Sequence, residues 1–482
     1  MKSILPIIAA LQLAPLPAAD VPARGPNILF IIADDASSHF GEAYGCKWVK
    51  TPNIDRLGRN GLVFDNAYTP TAKCTPSRSA ILTGRNPWQL EEAANHQSQF
   101  PVKYVAFSEA LGQAGISVGG GGKIWGPGSA LTAEGKPRTF GFNEEGKGKG
   151  FEAFLESRPA GKPFFYWFGS HKPHRNYKKD SGIAAGKKTS DIDRVPGIWP
   201  DNETVRRDML DYALEVEGFD EQVGTLLQAL EASGEAANTL VIVTSDNGMP
   251  FPRSKGHNYD ISNREPLVAC WPAGIARPGR RVTEFVSFID LAPTFLELLG
   301  VDGAKAGMSP ITGRSFANLL RGEADPSRDS VILGRERNNA KARPGTPSGL
   351  GYPTRAIRQG DFFYIHNFAP HRWPCGDPKL GLKDTDGSPT KSLIDELGEG
   401  DRFWQMSFGK RLQVELYDLA KDPDCIHNLA EDEAYKTKAA ALREKLFDEL
   451  KKQGDPRVLG NGDVFENYDS AGNKKPKQKG SN

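Results

Sequence analysis

The chain has 482 residues, 38% of them hydrophobic and 25% charged, enough to bury a large core and to divide into two domains. Its 61 lysines and arginines balance 60 acidic residues to a net charge of +1, which excludes a globally basic nucleic-acid binder. Beyond the N-terminus no stretch is long and apolar enough to span a membrane.

In chain order, Met1-Lys2-Ser3 followed by an apolar stretch reads as a secretory signal over residues 1–19, so export to a periplasm, the medium or a lysosome-like compartment is expected. The folded part begins near residue 24. Asn27–Ala33 is an unbroken apolar run that enters Asp34-Asp35; residues 163–168 run into Ser170-His171, and residues 239–244 into Asp246-Asn247. Unbroken apolar runs are what strands covered on both faces look like. Residues 205–231 carry Leu210, Ala213, Leu214, Val223, Leu227 and Leu230 at helical spacing. This alternation predicts an α/β fold over residues 24–325, a large mostly parallel sheet sandwiched by helices.

After residue 325 the pattern changes. Residues 351–358 and 362–368 flank Gly360-Asp361 and predict a hairpin; residues 415–419 predict a further strand, and 433–452 an amphipathic helix. A smaller C-terminal antiparallel α+β domain over residues 326–471 follows, with a disordered basic tail over 472–482. Apart from Cys74, the cysteines Cys46, Cys270, Cys375 and Cys425 are widely spaced and contain no Cys-x-x-Cys pair, which argues against zinc and against a dense disulfide framework. One or two bridges are compatible with export.

The chemistry gathers at the predicted strand ends, where open α/β sheets bind their ligands. Asp34, Asp35, Asp246 and Asn247 are all oxygen donors, suited to Ca²⁺ or Mg²⁺. Arg78 and Lys123 supply fixed positive charge, the latter behind four glycines at 119–122 that let backbone approach a ligand. His171 and His174 flank a segment stiffened by Pro173; His174 is the expected proton donor, with Lys255 as its partner. Basic residues crowd positions 171–188, either as a solvated loop or as an attractor for an anionic substrate. His366, His371, Arg372 and Trp373 are candidates for saccharide contacts or for packing between domains. Cys74 opens Cys74-Thr75-Pro76-Ser77-Arg78, which reads as a helix start; its plain reading is a thiol acidified by the helix N-terminus.

This pentapeptide, together with Ala33-Asp34-Asp35, Leu82-Thr83-Gly84, residues 168–175, Thr244-Ser245-Asp246-Asn247-Gly248, Thr312-Gly313-Arg314-Ser315 and Glu415-Leu416-Tyr417-Asp418, resembles the formylglycine-dependent sulfatases of the alkaline phosphatase superfamily. Within that family the likeness is greatest to the branch that removes N-sulfate from glucosamine. The resemblance spans about residues 26–432. It implies that Cys74 is converted to formylglycine by a sulfatase-maturing enzyme. One calcium ion would be held by Asp34, Asp35, Asp246, Asn247 and the modified Cys74. Arg78 and Lys123 would hold the aldehyde hydrate, and His174 and Lys255 would face the leaving group. One hydroxyl of the hydrate would attack sulfur and the other would expel sulfate.

The implied substrate is a sulfated saccharide carrying an O-sulfate ester or an N-sulfate. A phosphate or phosphonate ester hydrolase, or a catalytically inactive sulfated-glycan-binding protein, would share much of the pattern, and a homodimer is left open. The family's histidine shortly after the lysine is missing here, where Ile124-Trp125-Gly126-Pro127-Gly128 follow Lys123. Either His171 or His96 replaces it, or the reaction proceeds without one.

Overall fold

Seven consecutive residues, Asn27–Ala33, form strand β1, all of them buried. Successive side chains of a strand point to opposite faces. Leu29, Ile31 and Ala33 accordingly enter one core while Ile28, Phe30 and Ile32 enter another. The computed structural model describes residues 25–142, 150–159 and 161–471, so the expected signal and basic tail lie outside the described residues.

Six strands join β1 in chain order: β2 (Leu62–Phe64), β3 (Ser117–Gly122), β4 (Phe164–Gly169), β5 (Thr239–Ser245), β6 (Leu267–Cys270) and β7 (Arg280–Val282). Their spatial order is β7-β2-β6-β5-β1-β4-β3. Neighbours are parallel except at β6, which runs antiparallel to both β2 and β5. The predicted mostly parallel sheet is therefore present. Register carries the functional consequence: Ala33 lies opposite Ser245 and Ile32 opposite Gly169, so β1, β4 and β5 end side by side.

Helix α1 (Cys74–Thr83) packs in the same core as Phe30 through Ile81 and Leu82. The opposite core is covered by α2 (Glu203–Ala232), whose N-cap Asn202 accepts a hydrogen bond from the Val205 amide. Helix α3 (Leu291–Leu298) closes the first core with Phe295 against Phe30.

The glycines at 119–122 form edge strand β3. A Cβ on Gly119 would stand 2.4 Å from the Phe154 ring, and one on Gly120 2.8 Å from Phe142. Aromatic rings lie where side chains of the strand would otherwise be. At the strand end Gly122 has φ +68°, and a Cβ there would stand 2.0 Å from the Gly169 carbonyl oxygen.

The C-terminal region forms a four-stranded antiparallel sheet of β8 (Ser330–Arg335), β9 (Thr354–Gln359), β10 (Phe362–Asn367) and β11 (Val414–Asp418). Gln359 pairs with Phe362 across Gly360-Asp361, the expected hairpin, with Gly360 at φ +56°. One face, with Leu333, Ala356 and Phe363, packs on Tyr68, Tyr259 and Phe285. The other covers Leu442, Leu446 and Leu450 of α5 (Lys436–Lys452), while the intervening helix α4 (Pro389–Leu397) packs back on α2. None of the five cysteines is in a disulfide, and all are buried.

Candidate active site

Cys74 is the first residue of α1, and all ten residues of that helix are buried. The small polar residues of the motif hold it in place. The Ser77 hydroxyl donates to the Asp246 carbonyl oxygen at 2.6 Å and accepts from Thr69 Oγ1 at 2.9 Å. Thr75 Oγ1 donates to the Pro127 carbonyl at 2.6 Å, and Trp125 Nε1 donates to Ser79 Oγ at 2.8 Å. So fixed, Cys74 Sγ lies 3.3 Å from Asp34 Oδ1 and 3.7 Å from Asp35 Oδ1. Burial, reinforced by Asp34 and Asp246, pushes the thiol well above its ordinary pKa despite Lys123 and Lys255. The acidified-thiol reading is thereby overturned: at neutral pH the unmodified side chain is a thiol and a poor nucleophile.

The oxygen donors come from the ends of β1 and β5. Asp34 accepts both of its short contacts from Lys123 Nζ, at 2.7 and 2.6 Å. Asp35, held at φ +75°, accepts from Lys255 Nζ at 2.5 Å and from Asn247 Nδ2 at 2.8 Å. Asp246 accepts from Arg78 Nε at 2.7 Å and from the Asp35 amide at 3.1 Å. One ligand atom each from Asp34, Asp35, Asp246 and Cys74 falls within a 4.8 Å group. Asn247 Oδ1 is buried with no hydrogen-bond partner, a lone acceptor costing about 1–3 kcal/mol unless a cation satisfies it. The donor set fits a hard divalent ion.

Electrostatics agrees with that fit. Burial and the neighbouring carboxylates Asp246 and Asp35 raise the Asp34 pKa against the pull of Lys123 and Arg78. Burial works the same way on Asp246, but Arg78 and Lys123 outweigh it and hold that carboxyl at about 2. Arg78 is itself completely buried, its guanidinium also donating to the Lys123 carbonyl at 2.5 Å. Lys255 stays cationic, because Asp35 and Asp386 outweigh its burial.

At the rim, His174 Nε2 stands 3.8 Å from Asp35 Oδ2 with 41% of its side chain exposed. His171 is exposed and lines a cavity of about 480 Å³ with Lys123, Trp125 and Arg138. His96 is half-buried; its Nδ1 donates to the Asn338 carbonyl at 3.2 Å, leaving Nε2 as the acceptor of a neutral ring. Burial, then Lys73, Lys255 and Lys123, keep its pKa well below the ordinary value. His96 is thus a neutral ring whose surroundings make it a weak base.

Half of the basic run is neutralised: Lys172 pairs with Glu215 at 2.5 Å, Lys187 with Glu217, and Arg175 with both oxygens of Asp208 at 2.8 and 3.0 Å. His366 packs between Phe368 and Phe447, Arg372 pairs with Glu466, and Trp373 packs on Trp404, contacts that all lie within residues 326–471.

Two residues at the rim carry no signal in the sequence. Asp386 reaches Lys255 Nζ at 3.0 Å from the C-terminal region. Lys73, the residue before Cys74, has 7% of its surface exposed.

Residues 26–301 match the family described as Sulfatase. The chain is 29% identical to N-sulphoglucosamine sulphohydrolase of Homo sapiens, with 92% of this chain and 93% of the relative covered. It is 28% identical to an ulvan-active sulfatase of Formosa agariphila over 89% of this chain and 81% of that one. Among solved structures, a Bacteroides thetaiotaomicron protein from a locus for the metabolism of multiple glycosaminoglycans has a TM-score of 0.68 at 19% identity, covering 92% and 99% of the two chains. That last likeness is one of fold.

Proposed function

Because this chain belongs to the sulfatase family, we propose that it hydrolyses sulfate from a saccharide, with a formylglycine made from Cys74 and one calcium ion bound by Asp34, Asp35, Asp246 and Asn247. The observation that carries this reading is the position of Cys74 Sγ, 3.3 Å from Asp34 in a buried pocket of oxygen donors edged by Arg78, Lys123 and Lys255. N-sulfoglucosamine is the first substrate to test, since the human relative carries that name.

A bound calcium ion would neutralise sulfate oxygens and draw electron density from sulfur. A formylglycine at position 74 would supply a hydrated aldehyde as the oxygen nucleophile in place of a thiol. The remaining work falls to the chain's own side chains. Arg78, locked by Asp246 and two backbone carbonyls, cannot swing away and gives charge in a fixed direction. Lys123 and Lys255 hold their protons and act as electrostatic clamps, not as bases. His174, beside Asp35 and open to the cleft, hands a proton to the departing oxygen or nitrogen. His96, a neutral ring, is the candidate to accept one, against the burial and lysine charge that lower its pKa.

The same reading includes export through residues 1–19, a maturing enzyme as a transient partner, and a division into catalytic and C-terminal domains at residues 325/326. Peptide mass spectrometry across Cys74, on protein from a host that installs formylglycine, is expected to show loss of the thiol and gain of an aldehyde. The matured protein should then release sulfate from N-sulfoglucosamine or from an O-sulfated sugar. An intact thiol from such a host refutes the mechanism; full conversion with no sulfate released from any sulfated sugar refutes the substrate class.

A further inference from the structure

The pocket that would hold sulfate is built from strand ends, the start of α1 and Lys255, whereas two further charged groups have no part in the chemistry above. Lys73 is the first. Its side chain is more than nine-tenths buried, yet its ammonium makes no hydrogen bond and no ion pair among the described residues. Its nitrogen is not among the fully buried atoms lacking partners, so it keeps some accessible surface. An ammonium stripped of most of its water and given no protein acceptor is costly, and a ligand acceptor relieves that cost.

Asp386 is the second. One carboxylate oxygen is buried beside Lys255 Nζ at 3.0 Å, while 28% of the side chain remains exposed. Lys255 thus anchors one oxygen and leaves the rest of the group facing the cleft. Lys73 and Asp386 feel each other electrostatically, Lys73 following burial and Lys255 among the influences on the Asp386 carboxyl, but no ion pair closes between them. Backbone geometry brings their segments together: the Gly256 amide donates to the Ala72 carbonyl at 2.7 Å, so Lys73 and Lys255, which holds Asp386, are each next in the chain to a residue of that bond.

A donor and an acceptor on adjoining segments that do not meet each other are matched by a group that both donates and accepts. A sugar hydroxyl does so, and an aryl ring offers neither. We propose that Lys73 and Asp386 form a saccharide-reading pair beside the scissile sulfate, Lys73 donating to and Asp386 accepting from ring hydroxyls of the leaving group. This assignment rests on the sulfatase reading. It makes the C-terminal region a contributor to specificity, since Asp386 lies beyond β10 while the sulfate pocket is complete without it.

The test compares the wild type with Asp386→Asn and Lys73→Gln, each matured and normalised to its formylglycine content, on N-sulfoglucosamine and on 4-nitrophenyl sulfate. A hydrogen bond to a charged group is worth roughly 1.5–3 kcal/mol, so the ratio of saccharide to aryl kcat/KM should fall at least about tenfold in each variant. Equal losses on both substrates would mean that Asp386 acts only by orienting Lys255, and would overturn the proposal. An unaltered ratio in both variants overturns it as well. If Asp386→Asn does not fold, Lys73→Gln alone decides by the same ratio. A wild type that cleaves neither substrate marks failure of the sulfatase reading instead. Calorimetric binding of N-sulfoglucosamine then decides for the pair: weaker binding in both variants keeps it, equal binding refutes it.

Discussion

Replacing Asn247 with leucine separates the cost of the metal-free pocket from the value of the ion. In the metal-free protein Asn247 Nδ2 donates to Asp35 at 2.8 Å and to the Gly248 carbonyl at 3.1 Å, while Oδ1 is buried and unpartnered. Leucine has the same branched shape with two methyl groups in place of the amide O and NH2, so it loses those donor bonds and also removes the orphaned acceptor. These effects, each about 1–2 kcal/mol, oppose one another, and the metal-free stability should change little. The calcium-dependent increment should collapse. At a calcium concentration one hundred times the wild-type Kd, binding stabilises the native state by about 2.7 kcal/mol. Loss of outer partners alone costs roughly 10–100-fold in metal affinity, and loss of a direct ligand at least as much, so the same calcium leaves the variant with no more than about 1.4 kcal/mol, and about 0.4 kcal/mol at a hundredfold loss. Denaturant unfolding of both proteins, in chelator and in calcium, measures the double difference. An equal calcium increment in wild type and Asn247→Leu would refute Asn247 as a ligand, and no increment in the wild type would refute the ion.

Two glycines should respond in opposite directions. Gly122→Ala puts a Cβ 2.0 Å from the Gly169 carbonyl oxygen at φ +68°, so β3 and Lys123 must move, with stability lowered and sulfate release reduced at least about tenfold. Gly112→Ala, in a helix with nothing within 4 Å of the new Cβ, should raise stability by about 0.5–1 kcal/mol in urea unfolding. Acid should destabilise the protein through buried histidines, His39 and His366 among them. Burial, with Arg264 and Arg194, holds His39 at about 4. Burial and Arg443 do the same to His366, also at about 4. Unfolded histidines titrate near 6.5, so between these values the unfolded chain binds more protons. The stability each contributes is complete above about pH 6.5 and is lost as pH falls toward 4, by up to about 1.4 kcal/mol per pH unit for each ring. His39→Gln and His366→Gln should each flatten the unfolding free energy across that window; an unaltered slope in both would show that other groups set it.

The parts of the site that could be read from the sequence are those that backbone register brings together. β1, β4 and β5 are unbroken apolar runs, and parallel pairing of such runs lines up whatever follows each of them; Asp34-Asp35, His171 to His174 and Asp246-Asn247 became neighbours for that reason. The glycines of β3 concealed a strand because alternation is a side-chain signal, and here Phe142, Phe154 and Tyr166 supply the cover from outside the strand. The charges of the 171–188 run were visible but their partners were not, since Asp208, Glu215 and Glu217 lie on α2 and meet the run only after folding. Asp386 and Lys73 belong to the same class, because neither spacing nor composition places a C-terminal carboxylate beside the residue preceding Cys74. The division follows from construction. Sulfate is small and symmetric, and rigid strand ends suffice to surround it; a sugar extends beyond the sheet and must be met by loops, whose contacts depend on tertiary placement. Substrate choice among proteins of this architecture is therefore expected to change through residues like Lys73 and Asp386 while Asp34, Asp35, Cys74, Arg78, Asp246 and Asn247 keep their places.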